Sequence, residues 1–391
     1  MSCVIFGAGK IARGFIGHLL FLSNIDFVFV EKADALVDLI NLRGQYTVNI
    51  LGAPEKNTLV TGATALKFSQ KDEITRRIAE ADCIFDAVGG KNLPELVPFL
   101  TAGIEERAKT NPTPLSIVTC ENWKLPADIL RNGIRESISP ECTQFFEEKV
   151  GITEAVIMRS AIESTPDLLE KDPLIVNVQD FWELPYDAAR LKTPLPKELI
   201  CQKPIYAFTG FLERKFYTYN AANGTVSFLG ALLGHKYIAD AAHDERILKI
   251  LDGVYRETAT ALSKKHNLDF EDQWAFTRTS LRKLQDRNIV DYIERNARDP
   301  MRKLSKDDRL VGSARLCMEC GVRPNNLAVA IACAMHYTEP TDEFAVRLQQ
   351  IRQEGGYTAV LQQVCEIDPD SELGQLILEK AALIRQWGWI Q

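Results

Sequence analysis

The chain contains no run of 18 or more apolar residues, so a membrane-spanning helix is not expected. It has no excess of basic residues either: 46 Lys and Arg stand against 53 Asp and Glu, a formal net charge of -7. That balance argues against a general nucleic-acid binder and leaves room only for a local basic pocket around an anionic ligand. Histidine is scarce, with five in 391 residues. No signal-peptide pattern precedes Cys3-Val4-Ile5-Phe6, and the nine cysteines are odd in number and scattered as far as Cys365. They read as reduced thiols of a cytoplasmic protein. The one suggestive pair is Cys317-Met318-Glu319-Cys320; with no second Cys or His pair near it, small core residues are expected and no metal. There is neither an internal repeat nor a low-complexity tract.

What is present is the composition of a soluble globular protein, 46% hydrophobic, 25% charged and 8% aromatic. At 391 residues it is too long for one ordinary core, so two domains are expected. The first third alternates apolar strand-like runs with helical stretches, as a doubly wound parallel sheet does. Val4–Phe6, Asp26–Val30, Cys83–Val88 and Leu115–Cys120 read as strands. Gly14–Leu22 and Ala33–Arg43 read as helices between them. Gln45–Ile50 and Thr58–Thr61 alternate around Gly52-Ala53-Pro54, the pattern of an inserted hairpin. The proline-rich stretch from about 163 to 196 breaks helices and contains one more strand candidate, Leu174–Val178. The domain boundary is placed at its end. Residues 1–196 are then an α/β Rossmann-type domain and residues 197–391 a mainly α-helical one. Long helical patterns there cover Tyr237–His266, Glu271–Asn288, Asn326–His336, Phe344–Gln353 and Glu372–Gln386.

Val4-Ile5-Phe6-Gly7-Ala8-Gly9-Lys10-Ile11-Ala12-Arg13-Gly14 is a strand, a tight glycine turn and the start of a helix. Gly7 permits the turn, Gly9 lets backbone approach a pyrophosphate, and Ala12 allows the helix close to the sheet. The helix N-terminus around Lys10 and Ile11 offers N–H groups to the phosphates. The second strand ends in Glu31, placed to hold the ribose hydroxyls and to repel a 2′-phosphate. NAD is therefore favoured over NADP, although the adjacent Lys32 works in the opposite sense. Ala87-Val88-Gly89 and Glu121-Asn122 follow the fourth and fifth strands, where a dinucleotide passes; Val88, Gly89 and Asn122 are added as cofactor contacts.

Gly7-Ala8-Gly9-Lys10-Ile11-Ala12-Arg13-Gly14-Phe15-Ile16-Gly17 resembles the opening fingerprint of the polyol-specific long-chain dehydrogenases, the mannitol dehydrogenase family. Three further stretches resemble the family in the same order. They are Cys120-Glu121-Asn122; Glu213 to Asn220 with Leu229-Gly230 and Gly234-His235; and Asp299-Pro300-Met301-Arg302-Lys303-Leu304-Ser305 with Asp308-Arg309-Leu310. The length matches the sugar-phosphate branch of that family.

The resemblance implies a metal-independent, NAD-dependent oxidoreductase that interconverts a sugar-alcohol phosphate and a ketose phosphate, of the mannitol 1-phosphate and fructose 6-phosphate type. It implies a Lys-x4-Asn-x2-His signature, matched here by Lys215 and Asn220, with Asn223 in the histidine position. A lysine of lowered pKa serves as acid/base for an alcohol, and an amide donor holds the developing oxyanion. Asn223 forms hydrogen bonds but does not titrate, so its expected part is to position substrate.

Two other readings stay open because of Asn223: a dehydrogenase of a free polyol or sugar acid, and a catalytically impaired NAD-binding relative. Met158-Arg159 stands where the family has Asp-Arg, and Leu184 where tryptophan is usual, which suggests a reshaped substrate pocket. Arg302, Lys303 and Arg309 are the candidate phosphate cations, with Arg214 a further one. The expected partner is a small-molecule polyol or sugar phosphate, with no nucleic acid and no membrane, bound by a monomer or dimer.

Overall fold

Strand β1 (Ser2–Phe6) is buried at every position after Ser2, because its sheet is covered on both faces. In the computed structural model, which describes residues 1–162 and 164–390, it pairs in parallel with β2 (Asp26–Glu31) on one side. The further strands in chain order are β3 (Gln45–Leu51), β4 (Thr58–Thr61), β5 (Ala65–Lys67) and β6 (Cys83–Asp86). Then come β7 (Leu115–Thr119), β8 (Val150–Glu154), β9 (Ala161–Ile162), β10 (Val176–Gln179), β11 (Leu184–Asp187) and β12 (Gln202–Ile205). The main sheet is six-stranded in the order β5-β2-β1-β6-β7-β8, all parallel. That is the doubly wound order whose direction reverses beside β1, and ligands bind at such a reversal.

Period-two alternation divides these strands between two cores. Ile5, Phe29, Phe85 and Val118 point to one face, and Val4, Phe6, Val28, Ile84 and Ile117 to the other. The expected hairpin forms, β3 against β4, but it is not isolated. β3 also pairs in parallel with β10, which gives a four-stranded sheet β4-β3-β10-β9. Nothing local in Gln45–Ile50 announces a partner more than a hundred residues away. β8 has no counterpart among the expected strands, since four buried residues behind an amphipathic helix give little periodicity to read. The chain divides into two compact units, Met1–Phe208 and Thr209–Gln391. β12 pairs with β11 and so belongs to the first.

The second unit is helical and has one core, centred on Ala221–Leu232, Glu245–His266 and Asn325–Ala334. The expected Tyr237–His266 helix is two helices, Ile238–Ala241 and Glu245–His266. Asp244 starts the second by accepting the Arg246 N–H on its side chain. The Phe344–Gln353 helix extends over Glu343–Gln363 with an interruption at Gly356, whose φ is 67°. Glu372–Gln386 forms as expected, with Ser371 accepting the Gly374 N–H as its cap. Among the described residues no helix is long and apolar enough to cross a membrane.

Candidate active site

In the first unit Gly7 has φ +89°, and a Cβ there would lie 2.7 Å from the Ala87 carbonyl oxygen. Only glycine makes this turn. Gly9 is the opposite case: a Cβ would meet nothing within 4 Å, so the residue keeps open the space that a pyrophosphate needs above the turn. The helix is already formed at Lys10 and Ile11 and continues as a π-helical stretch Ala12–Gly17 into His18–Leu22. Glu31, at the end of β2, accepts the Ala8 N–H at 2.7 Å and the Ala33 N–H at 2.9 Å, so its carboxylate sits against the glycine turn. The Lys32 ammonium is held by both oxygens of Glu95, at 2.9 and 2.6 Å. Val88 and Gly89 both donate backbone N–H groups to one oxygen of Glu121, at 2.7 and 2.8 Å. Burial raises the pKa of Glu121 against those two bonds. Asn122 is exposed in the loop that follows.

A pocket of about 200 Å³ connects these groups, lined among others by Gly7, Gly9, Glu31, Phe68, Val88 and Leu96. Apolar and aromatic walls with one carboxylate suit the adenosine part of a dinucleotide, so the residues present fit the cofactor their pattern implies. Phe68 and Glu95 have no local signal in the sequence; β5 and the segment after β6 bring them here.

Two side chains of the first unit, Arg159 and Tyr46, brace the helix that follows the glycine turn. Arg159 is 2% exposed; its Nη1 donates to the Gly14 carbonyl at 2.8 Å and meets His18 Nδ1 at 3.1 Å. Its guanidinium lies 4.3 Å from the Trp182 ring centroid and 5.1 Å from that of Phe15. Tyr46 donates its hydroxyl to the Arg13 carbonyl at 3.1 Å. A π-turn leaves carbonyls outside the regular ladder, and these two side chains take them up. Burial, and then the Arg159 charge, pushes the His18 imidazole down to about 3, so it is neutral. Nη2 of Arg159 is buried with no hydrogen-bond partner among the described residues, and the residue before it is the apolar Met158. Met158 and Leu184 are both buried within the first unit.

At the start of the second unit the helix Phe208–Lys215, whose first residue closes the first unit, passes into a π-turn, Phe216–Asn220, and Ala221–Leu232 resumes the α-helix. The Ala221 N–H reaches back five residues to the Phe216 carbonyl. In a regular α-helix residues 215 and 220 would stand about 140° apart. An i→i+5 turn brings residues five apart closer to superposition, so Lys215 and Asn220 are drawn to one side. Lys215, Asn220 and Asn223 are all half-buried. No carboxylate is paired with the Lys215 ammonium among the described residues. Burial lowers its pKa, and the charge of Arg309 lowers it further. Lys283, on the Phe270–Leu284 helix, is pushed down to about 8 by burial and then by Lys215, with Asp291 opposing. Sequence reasoning does not single out Lys283, because a lysine between Arg282 and Leu284 reads as a solvated helix residue.

The three cations proposed for phosphate are placed differently. Arg309 packs against the Ala221–Leu232 helix: a Cβ on Gly224 would lie 3.1 Å from its Cδ, and its guanidinium is 5.8 Å from the Phe216 ring centroid. Its Nε donates to Asp308 at 2.8 Å. Arg302 is exposed and divided between Asp299 and Asp308, at 3.0 and 3.3 Å. Lys303 is buried, its ammonium is bonded to the Arg298 carbonyl, and burial with the neighbouring arginines pushes it down to about 8. Arg214 is taken by Gln273 and Asp272 and lies over Phe276. Asn223 donates from Nδ2 to Asn296 Oδ1 at 3.1 Å. His235 pairs with Asp244 and His336 with Tyr357 and Arg352, so each serves helix packing.

Comparison with known proteins identifies the family and the fold. The profile of the mannitol dehydrogenase Rossmann domain matches residues 1–197, and that of the mannitol dehydrogenase C-terminal domain matches residues 208–380. A mannitol-1-phosphate 5-dehydrogenase of Clostridium acetobutylicum is 31% identical over 380 residues, 97% of this chain and 98% of the relative. A substrate-free D-sorbitol dehydrogenase has the same fold, with a TM-score of 0.79 and 14% identity over 99% of this chain and 93% of its own. So does Pseudomonas fluorescens mannitol 2-dehydrogenase, solved as a ternary complex with NAD and D-mannitol. It has a TM-score of 0.64 and 13% identity over 100% of this chain and 92% of its own.

Proposed function

The chain belongs to the mannitol dehydrogenase family, and from that premise we propose that it interconverts a sugar-alcohol phosphate and a ketose phosphate with NAD, of the mannitol 1-phosphate and fructose 6-phosphate type. The observation that carries the chemistry is Lys215: half-buried, without a carboxylate partner among the described residues, and beside the cations Arg309 and Lys283. Desolvation and neighbouring positive charge both favour the neutral amine, which is the form that removes a proton from an alcohol. The substrate O–H proton passes to Nζ of Lys215 while the C–H bond breaks. NAD, when bound, accepts the hydride. Asn220 donates its amide N–H to the oxygen as negative charge collects on it. In the reverse direction the Lys215 ammonium returns the proton to the carbonyl oxygen. A base supplied by a lysine requires no metal to acidify the alcohol, so the proposed reaction is metal-independent.

In the first unit Gly7, Gly9 and the helix start at Lys10 and Ile11 would take the pyrophosphate, and Glu31 the ribose hydroxyls. Val88, Gly89 and Asn122 lie further along the same sheet edge. In the second unit Arg309 is the best-supported phosphate ligand, since it is fixed by Asp308 next to the catalytic helix.

A free polyol or sugar acid is the second reading, favoured by the engagement of Arg302 with two aspartates and of Lys303 with a carbonyl. Turnover on paired phosphorylated and free polyols, with both nicotinamide cofactors, decides between them. A preference for the phosphorylated member is expected; equal or better use of the free polyol would replace the first reading by the second. The proposal fails altogether if Lys215→Ala keeps wild-type turnover.

A further inference from the structure

We infer that Asn296 is a positioning residue that turns the Asn223 amide so that its carbonyl oxygen, and not its NH2, is presented to a substrate hydroxyl. The inference rests on the reading above, in which Asn223 lies in the polyol site. Its starting point is the Nδ2 of Asn296, which donates to Asp291 Oδ1 at 2.6 Å and to the Tyr292 backbone carbonyl at 2.9 Å. A backbone carbonyl only accepts, and so does a carboxylate. The opposite rotamer would set the Asn296 oxygen against two acceptors, so the orientation of this amide is determined by chemistry. Its Oδ1 therefore faces Asn223, and the group that meets it at 3.1 Å is the Asn223 NH2. Two amides are thus fixed in series by one acidic and one backbone acceptor, both on the segment leading into the Ile293–Ala297 helix.

The Asn223 backbone carbonyl is occupied as well, accepting from Ser227 Oγ at 2.6 Å. Its Oδ1 accepts no bond from any described residue, and the side chain is half-exposed. An amide oxygen cannot donate, so it selects an O–H of the polyol over a ketone or phosphate oxygen. A histidine at this position would offer a ring nitrogen that donates or accepts according to its tautomer, whereas the oriented amide offers only an acceptor. Asn296 thus accompanies Asn223 as the second half of one recognition device.

The test is a double-mutant cycle read in steady-state kinetics with the preferred polyol as substrate. Asn296→Ala should raise the polyol KM about tenfold and leave kcat within about threefold, the signature of lost ground-state positioning. Asn223→Ala should do the same, and the double variant should be no worse than Asn223→Ala alone. The KM for NAD should stay unchanged throughout. Asn296→Leu, which keeps volume but bonds nothing, takes the same place in the cycle where the alanine variant does not fold. Deoxy analogues of the polyol identify the partner: for the one lacking the contacted hydroxyl, wild type and Asn296→Ala should have equal KM. An unchanged polyol KM in both position-296 variants, or effects of the two sites that simply multiply, would overturn the inference. If Lys215→Ala abolishes turnover while that happens, only the role of Asn296 falls. If Lys215→Ala remains active, the reading beneath it falls too.

Discussion

The two units solve the problem of holding a polar ligand with opposite materials. The cofactor site of the first is made of backbone and carboxylates: the Gly7 turn, the helix start at Lys10, and Glu31 bonded to the Ala8 N–H. Lys32, beside Glu31, is tied to Glu95. The proposed catalytic cluster of the second is made of half-buried side chains, with Lys215, Lys283 and Arg309 sharing one positive environment and Asn223 bonded to Asn296. The glycine turn and helix start of such a backbone site are encoded within a dozen consecutive residues. A side-chain site is assembled from helices far apart in the chain, and its electrostatics exist only once those helices pack. Each unit also places a π-turn in its functional helix, Ala12–Gly17 and Phe216–Asn220. In the first, the displaced carbonyls are bound by Arg159 and Tyr46; in the second, the turn aligns Lys215 with Asn220.

The most severe challenge to this contrast is to remove the second site and spare the first. Lys215→Ala should lower kcat by about 10²–10⁴-fold, the usual share of acid–base catalysis. NAD affinity, followed by calorimetry, should not change. Gly9→Val performs the converse experiment. The open space around Gly9 lets the variant fold, but the side chain enters the pyrophosphate space. A loss of about 10²-fold in kcat/KM for NAD is expected, while the midpoint of thermal unfolding stays near wild type.

The pH profile probes the electrostatics of the side-chain site. Alcohol oxidation needs neutral Lys215, so its rate should rise with pH through a lysine pKa held below the usual 10.5 by burial and by Arg309. Arg309→Gln removes a repelling cation, raises that pKa, and should move the oxidation limb to higher pH. Ketose reduction, which needs the ammonium, should persist to higher pH in the same variant. The pH dependence of kcat in both directions checks the sign.

A smaller change is expected in the acidic half. Glu95→Gln releases Lys32 beside Glu31, so the ratio of NADP to NAD use should rise about two- to fivefold. That is the size expected from an exposed ion pair. No change in that ratio would leave Glu31 alone as the discriminating charge.

The glycine turn, a doubly wound parallel sheet around it and the helical second half were legible in the sequence, because each depends on local periodicity or on a residue of special backbone freedom; the short strands β5 and β8, with little periodicity to read, were not. Lys215, Asn220 and Asn223 were legible as a spacing, although the π-turn that aligns the first two was not. Arg302, Lys303 and Arg309 looked equivalent as a basic cluster. In the fold one is exposed, one is consumed by a carbonyl and one packs on the Ala221–Leu232 helix. Met158 and Leu184 pointed from sequence to a reshaped substrate pocket; in the fold they are buried in the first unit, where Arg159 braces the cofactor helix. Residue order was enough to say where the chain turns, which faces are apolar and which residue types the chemistry has at its disposal. Packing settled which charges are desolvated, which are neutralised and which amide faces outward. Those properties depend on distance and dielectric between groups remote in the chain, and no local pattern specifies them.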